Sequence, residues 1–63
     1  MEMTREQAIS TIIHWIGCDT DTAKMIFNGV FEFDGNNYSA YIVEGEKLEI
    51  CKNGFPIHKI SKI

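Results

Sequence analysis

The feature that most constrains the fold of this chain is a change in the spacing of its apolar residues near Val30. Before Val30 they recur with the helical period of about 3.6 residues, and after it they alternate with a period of two, as in a strand. Turn residues interrupt the alternating part several times. The pattern predicts an α+β domain in which two N-terminal helices pack on one face of a three- to four-stranded antiparallel β-meander.

The first helix is predicted over residues 5–16. Thr4 and Gln7 have the spacing of a capping box, in which each side chain accepts a hydrogen bond from the backbone amide of the other residue. Gly17 suits the left-handed residue that commonly follows a helix. The apolar stripe of this helix, at the spacing i, i+3, i+4 and i+7, is formed by Ile9, Ile12, Ile13 and Ile16.

A second, shorter helix is predicted over residues 20–28. Asp19 or Thr20 can cap its first turn, because short side chains with an oxygen accept hydrogen bonds from the free amides there. The helical pattern ends at Asn28 and Gly29. A helix this short is marginal by itself, so we expect tertiary packing to stabilise it.

The second half of the chain predicts up to four short strands. The turn at Asn53-Gly54 is the strongest hairpin signal, because both residue types tolerate a positive φ. Pro56 has no amide proton, so we expect the last strand to lie at an edge of the sheet or to pair only partly. The predicted strands cover residues 30–34, 38–43, 47–52 and 55–60.

The predicted register follows from the requirement that the large apolar residues share one face. A shift by one residue would turn every side chain to the opposite face, so burial selects a three-residue loop at Glu44-Gly45-Glu46. The resulting cross-strand pairs are Phe33 with Tyr38, Ile42 with Leu48, and Ile50 with Ile57. The apolar face then carries Phe31, Phe33, Tyr38, Ala40, Ile42, Leu48, Ile50, Phe55 and Ile57.

The composition fits one small domain over residues 1–63 with an uneven distribution of charge. The net charge is −3, but the first 46 residues carry two basic and eight acidic side chains, and the last 17 carry four basic and one acidic. Such a surface favours a basic partner and disfavours phosphate. Because no signal peptide or apolar run of membrane length occurs, we expect a cytoplasmic protein with no membrane partner and with free thiols. A homodimer is compatible with the sequence.

Few residues could support catalysis or bind a cofactor. The four soft metal ligands are His14, Cys18, Cys51 and His58, and their spacing is not that of a zinc finger. The predicted register also places His58 opposite Glu49, which would make either a general base or a weak surface ion pair. The chain has no glycine-rich nucleotide motif. We therefore expect no enzymatic activity and no cofactor.

One alternative is a winged-helix-like regulator that binds DNA through the second helix. That helix contains a single cation, Lys24, and begins with Asp19 and Asp21, whereas a recognition helix needs donors to phosphates and bases. The candidate wing carries Glu44 and Glu46 at its tip. Direct binding to nucleic acid is therefore disfavoured.

The interpretation that we prefer is a non-catalytic module that binds another protein, as a regulator or inhibitor. Tyr41 and Val43 share the predicted solvent face of the sheet, and exposed aromatic residues are typical anchors of interfaces. The surrounding acids would suit a basic partner, such as the nucleic-acid channel of a nuclease or transcription component. High strand propensity alone would also explain Tyr41 and Val43. The predicted partner-binding residues are Tyr41, Val43, Glu32, Asp34, Glu44, Glu46 and Glu49.

Overall fold

The computed structural model describes the backbone of residues 2–61 and the side chains of residues 2–57. Two helices precede a sheet whose four antiparallel strands lie in the order of the sequence, which confirms the predicted α+β fold. The helices are α1 (Arg5–Ile16) and α2 (Thr20–Asn28). The strands are β1 (Phe31–Phe33), β2 (Asn36–Val43), β3 (Lys47–Lys52) and β4 (Phe55–Ser61).

Helix α1 begins and ends where its local signals predict. The Gln7 amide donates to Thr4 Oγ1 at 3.1 Å, and the Thr4 amide donates to Gln7 Oε1 at 2.8 Å, which completes the capping box. Gly17 follows the helix with φ at 80°, a conformation that glycine adopts without steric cost. Both helix ends thus depend on groups within a few residues of each other.

Helix α2 is capped by Asp19, whose carboxylate accepts a hydrogen bond from the Thr22 amide at 2.8 Å. Hydrogen bonds to the ionised carboxylate from the Thr22 side chain and from the Thr22 amide lower the pKa of Asp19 below its usual value. Three residues separate the two helices, and the Arg5 guanidinium at the start of α1 lies 5.8 Å from the centre of the Phe27 ring near the end of α2. The helices are therefore antiparallel neighbours.

The core lies between the helices and one face of the sheet. Its largest fully buried side chains come from both layers: Ile12, Ile26, Leu48 and Ile50. Each of these contributes about 1.5–3 kcal/mol through removal of its apolar surface from water. The predicted stripe on α1 is only partly buried, because Ile13 and Ile16 lie at the margin of the core.

The first hairpin has a tighter turn than the sequence pattern predicts. Phe33 pairs with Asn36 rather than with Tyr38, and the turn consists of Asp34 and Gly35 with φ of 54° and 82°. Two consecutive left-handed residues match the right-handed twist of a hairpin, and Asp-Gly is a favoured sequence for this turn. The register differs from the prediction by two residues, so Phe33 and Tyr38 still share one face.

The middle hairpin has the predicted register. Ile42 pairs with Leu48, and a three-residue loop connects β2 to β3. Glu44 and Gly45 in this loop have φ of 58° and 76°. The Met3 amide donates to the Gly45 carbonyl at 2.9 Å, which ties the segment before α1 to this loop.

The last hairpin contains a β-bulge that the sequence pattern does not predict. Lys52 pairs with Phe55 as predicted, but the register shifts so that Ile50 faces His58, and Ile57 is the extra residue. The predicted pairing of Ile50 with Ile57 is therefore wrong, and Ile57 is 50% exposed. Phe55 was expected on the buried face but is 73% exposed at the edge strand.

The bulge also overturns the predicted pairing of Glu49 with His58. An extra residue on one strand reverses the side to which each later residue of that strand points. In the observed register, Glu49 is opposite Lys59. Pro56 lies in β4, which is an edge strand as predicted.

Asn53 joins the outer hairpins at one end of the sheet. Its amide donates to the Asn37 carbonyl at 2.6 Å, and its side-chain oxygen accepts from the Asn37 amide at 2.9 Å. Its side-chain nitrogen donates to Asn36 Oδ1 at 3.1 Å. Asn53 has φ of 52°, a left-handed conformation that asparagine tolerates better than most residues.

Candidate protein-binding surface

The side of the sheet opposite the helices, which we name the open face, presents Tyr41 near the middle of β2. The Tyr41 side chain is 47% exposed, and its cross-strand partner is Glu49 on β3. The Tyr41 hydroxyl donates a hydrogen bond to Glu49 Oε2. Cys51 Sγ lies 3.9 Å from the same carboxylate oxygen. The carboxylate thus restrains an aromatic ring that nevertheless remains accessible.

The hydrogen bond to Glu49 changes the acidity of Tyr41. A carboxylate that accepts from a phenol stabilises the protonated phenol, so the pKa of Tyr41 rises from 10.0 to about 12. Desolvation and the charge of Glu49 act in the same direction. At neutral pH the Tyr41 hydroxyl therefore remains a donor to Glu49.

The end of the sheet beyond Tyr41 is acidic. Val43 is half-buried at the end of β2, and the loop that follows exposes Glu44 and Glu46. Glu2 joins them, because its side chain lies against Gly45. Its Cγ is 3.7 Å from the point where a Cβ would lie if residue 45 had a side chain. Sequence reasoning missed Glu2, since the contact spans 43 residues of chain and has no local signal.

Two of the predicted partner-binding residues lie at the opposite end of the sheet. Glu32 is exposed on β1, opposite Asn37, and Asp34 is in the turn between β1 and β2. The eight residues of β2 lie between this turn and the Glu44 loop, and they span about 23 Å from first to last at about 3.3 Å per residue. The structure therefore divides the predicted residues into a group that includes Tyr41, Val43, Glu44, Glu46 and Glu49, and a distant pair.

A lysine also occupies the end of the sheet near the Tyr41 group. Lys47 is the cross-strand partner of Val43, and its side chain is half-buried. Its charge offsets part of the negative charge of Glu44 and Glu46. Among the described side chains at this end of the sheet, Val43 and the ring of Tyr41 provide the apolar surface between these charges.

The soft metal ligands do not gather within the described part of the chain. Cys18, in the segment between α1 and α2, is buried in the core, and this burial raises the pKa of its thiol. Cys51 lies on the open face, and the His14 ring makes an edge contact with Trp15 at 5.8 Å. The side chain of His58 lies outside the described residues. Among the side chains that are described, no three His, Cys, Asp or Glu residues are placed to hold a metal ion.

The position of α2 bears on the winged-helix alternative. Ala23 and Ile26 are buried, and the helix packs against β1 and β2. Its single cation, Lys24, lines a groove shared with α1. The carboxylate of Asp19 caps the N-terminus, the end of a recognition helix that commonly contacts the bases.

Comparison with protein-family models, curated proteins and solved structures found no match to this chain. Within residues 2–61, no helix is long and apolar enough to cross a membrane.

Proposed function

We propose that this chain is a non-catalytic module that binds another protein through the open face of its sheet. The observation that carries this proposal is the Tyr41 side chain, which is 47% exposed while its hydroxyl is held by Glu49. A restrained aromatic ring loses little conformational entropy on binding, and such residues are enriched among the energetic centres of interfaces. Tyr41 is therefore the anchor of the proposed interface.

The chemistry of the partner follows from the charges around the anchor. Glu44 and Glu46 are exposed beside the Tyr41 group, and Glu2 adds a third carboxylate at the same loop. Complementary charge increases the rate of association and excludes partners of the same sign. We infer a partner with a basic surface that contains an apolar recess for Tyr41.

Within this proposal, the module is a regulator or inhibitor that occupies a nucleic-acid channel. The two acidic groups lie at opposite ends of β2, and the eight residues of this strand span about 23 Å, the length of about seven nucleotides in one strand of a duplex. A nuclease or transcription component would then bind carboxylates where it otherwise binds phosphates. The proposed location is the cytoplasm, where Cys18 and Cys51 remain free thiols on opposite sides of the sheet.

The test compares two exposed aromatic residues. Immobilised wild-type protein, Tyr41→Ala and Phe55→Ala are each used to capture a partner from host lysate. Phe55 is 73% exposed and points to the opposite side of the sheet from Tyr41, so it controls for general stickiness of aromatic rings. We expect a partner that binds wild type and Phe55→Ala but is lost with Tyr41→Ala.

The captured partner is then bound to its nucleic acid and titrated with the module. Displacement by wild type, but not by Glu44→Lys/Glu46→Lys, supports occupation of the channel. Binding without displacement contradicts the nucleic-acid mimicry and indicates that the module binds the partner at a basic surface outside the channel. A partner that is lost equally with Phe55→Ala contradicts the assignment of the open face. Sedimentation of the free module in the same buffer shows whether the partner is a second copy of the chain.

The salt dependence of binding to duplex DNA distinguishes the winged-helix alternative from the protein-binding module. A protein that neutralises DNA phosphates loses affinity steeply as salt rises, with a slope close to the number of phosphate contacts. The charge of the module predicts no measurable binding to duplex DNA. Binding with a steep negative slope that Lys24→Gln reduces would favour the alternative.

A further inference from the structure

The two helices form a groove that the proposed interface does not use. It has a volume of about 370 Å³, which is at the lower end of the range for small-molecule sites. Helix α1 lines it with a ridge of residues one turn apart, Arg5, Ile9 and Ile13, and α2 contributes Thr20 and Lys24. Glu6 and Ser10 complete the lining. The groove belongs to the helical side of the molecule and lies apart from the open face.

The groove collects the positive charge of an otherwise acidic region. Arg5 and Lys24 are the only two cations in the first 46 residues, and both line this groove. The Arg5 guanidinium lies over the Phe27 ring at 5.8 Å. A contact with a ring face leaves the N–H donors at the guanidinium edge available, because they point within its plane. Arg5 is thus restrained but can still bind an anion.

The remainder of the lining is partly apolar. Ile9 is 7% exposed at the floor of the groove, and Ile13 is half-buried next to it. Ser10 and Thr20 provide hydroxyl groups at the rim. Among the described residues of the lining, Glu6 is the one carboxylate, and it opposes a ligand with high negative charge. This combination suits a single negative charge attached to an aliphatic group better than a multiply charged phosphate.

We propose that the groove between α1 and α2 binds a small monocarboxylate with an aliphatic tail. The carboxylate lies between Arg5 and Lys24, and the tail covers Ile9 and Ile13. The groove and the open face are separate sites, so this proposal does not depend on the proposed protein partner.

The test is a titration of isotope-labelled protein with hexanoate, followed through backbone amide signals. We expect saturable shifts of Ser10 and Thr20, whereas Tyr41 on the open face keeps its signal. Separate titrations with 1-hexanol and with inorganic phosphate should each give at least about fivefold weaker binding, because each probe lacks one half of the ligand. Equal binding of hexanol and hexanoate would overturn the proposal, since it would show that the cations contribute nothing.

Two variants that remove a charge from the groove should change the affinity for hexanoate in opposite directions. Lys24→Gln should weaken hexanoate binding about fivefold, and Glu6→Gln should strengthen it about two- to fivefold by removing a repulsive charge. Added salt should reduce the difference between wild type and Lys24→Gln. Tyr41→Ala is the control outside the groove and should bind hexanoate as wild type does.

Weaker binding by Glu6→Gln would contradict the proposal, because it would indicate recognition of a positive group. If Lys24→Gln does not fold, Glu6→Gln and the comparison of the three probes still decide the question. Absence of saturable shifts with hexanoate refutes the site.

Discussion

Two neighbouring isoleucines on α1 test how far burial governs the stability of this domain. Ile12 is fully buried, whereas Ile13 lies partly buried at the margin of the core. Sequence reasoning treats both as core residues because both belong to the same helical stripe. Substitution of each by alanine makes the same change in chemistry and in intrinsic helix propensity. A difference between the variants therefore reports the difference in burial.

The expected magnitudes follow from the atoms removed. Ile12→Ala deletes three buried carbons at about 0.8 kcal/mol each, and the cavity that remains raises the total to about 3–4 kcal/mol. Ile13→Ala deletes the same atoms from a half-buried position that water can refill, so we expect about 1 kcal/mol. A domain of 63 residues has a total stability of about 3–9 kcal/mol, so Ile12→Ala can unfold a large fraction of the protein.

The assay is urea denaturation of wild type and both variants, followed by far-ultraviolet circular dichroism and by the fluorescence of Trp15. Trp15 is the single tryptophan and lies near the end of α1. The two signals should give the same midpoint for a two-state domain. Equal losses of stability for Ile12→Ala and Ile13→Ala would refute the argument from burial, provided that the slope of unfolding free energy against urea concentration is the same in both variants.

The further predictions concern three individual side chains. In a Tyr38→Phe background, the tyrosinate absorbance of Tyr41 should develop near pH 12, and Glu49→Gln should lower this pKa. Because folding favours protonated Tyr41, its contribution to stability is complete below pH 10 and is lost as the pH rises to about 12, which denaturation across that range can measure. Asn53→Gly keeps the positive φ but removes two side-chain hydrogen bonds, so thermal and urea unfolding should show a loss of about 1–3 kcal/mol. Burial raises the pKa of the Cys18 thiol, so a chromogenic thiol reagent should react with it slowly until urea unfolds the chain; fast reaction of the folded protein would contradict its place in the core.

Only part of the candidate surface could be predicted from the sequence. Strand alternation places Tyr41 and Glu49 on the same face, and their pairing across β2 and β3 follows from the parity of one loop. The separation of Asp34 from Glu44 also follows from the length of β2. The contribution of Glu2 could not be predicted, because it depends on the hydrogen bond between Met3 and Gly45. Convergence of Arg5 and Lys24 on one groove likewise requires the packing of α1 on α2.

The sequence alone determined the features that depend on nearby groups or on a simple period. The bounds of α1 follow from Thr4, Gln7 and Gly17, whose hydrogen bonds and conformations are local. The faces of β2 and β3 follow from alternation, since a register change of two residues leaves every side chain on its original side. Sequence therefore predicted the face to which each residue of these strands belongs, even though the register of the first hairpin was wrong. It did not predict that Cys51, on the open face, is buried.

Tertiary structure decided which side chains of the edge strand and of the α1 stripe are buried. The bulge at Ile57 adds one residue to an edge strand, where only one neighbouring strand constrains the backbone, and this reverses the parity on which the pattern depends. Phe55 is exposed because it lies at the edge strand, although its parity matches that of buried residues. Ile12 and Ile13 differ in burial because only the packing of α1 against its neighbours determines which side of an apolar stripe faces the centre of the core.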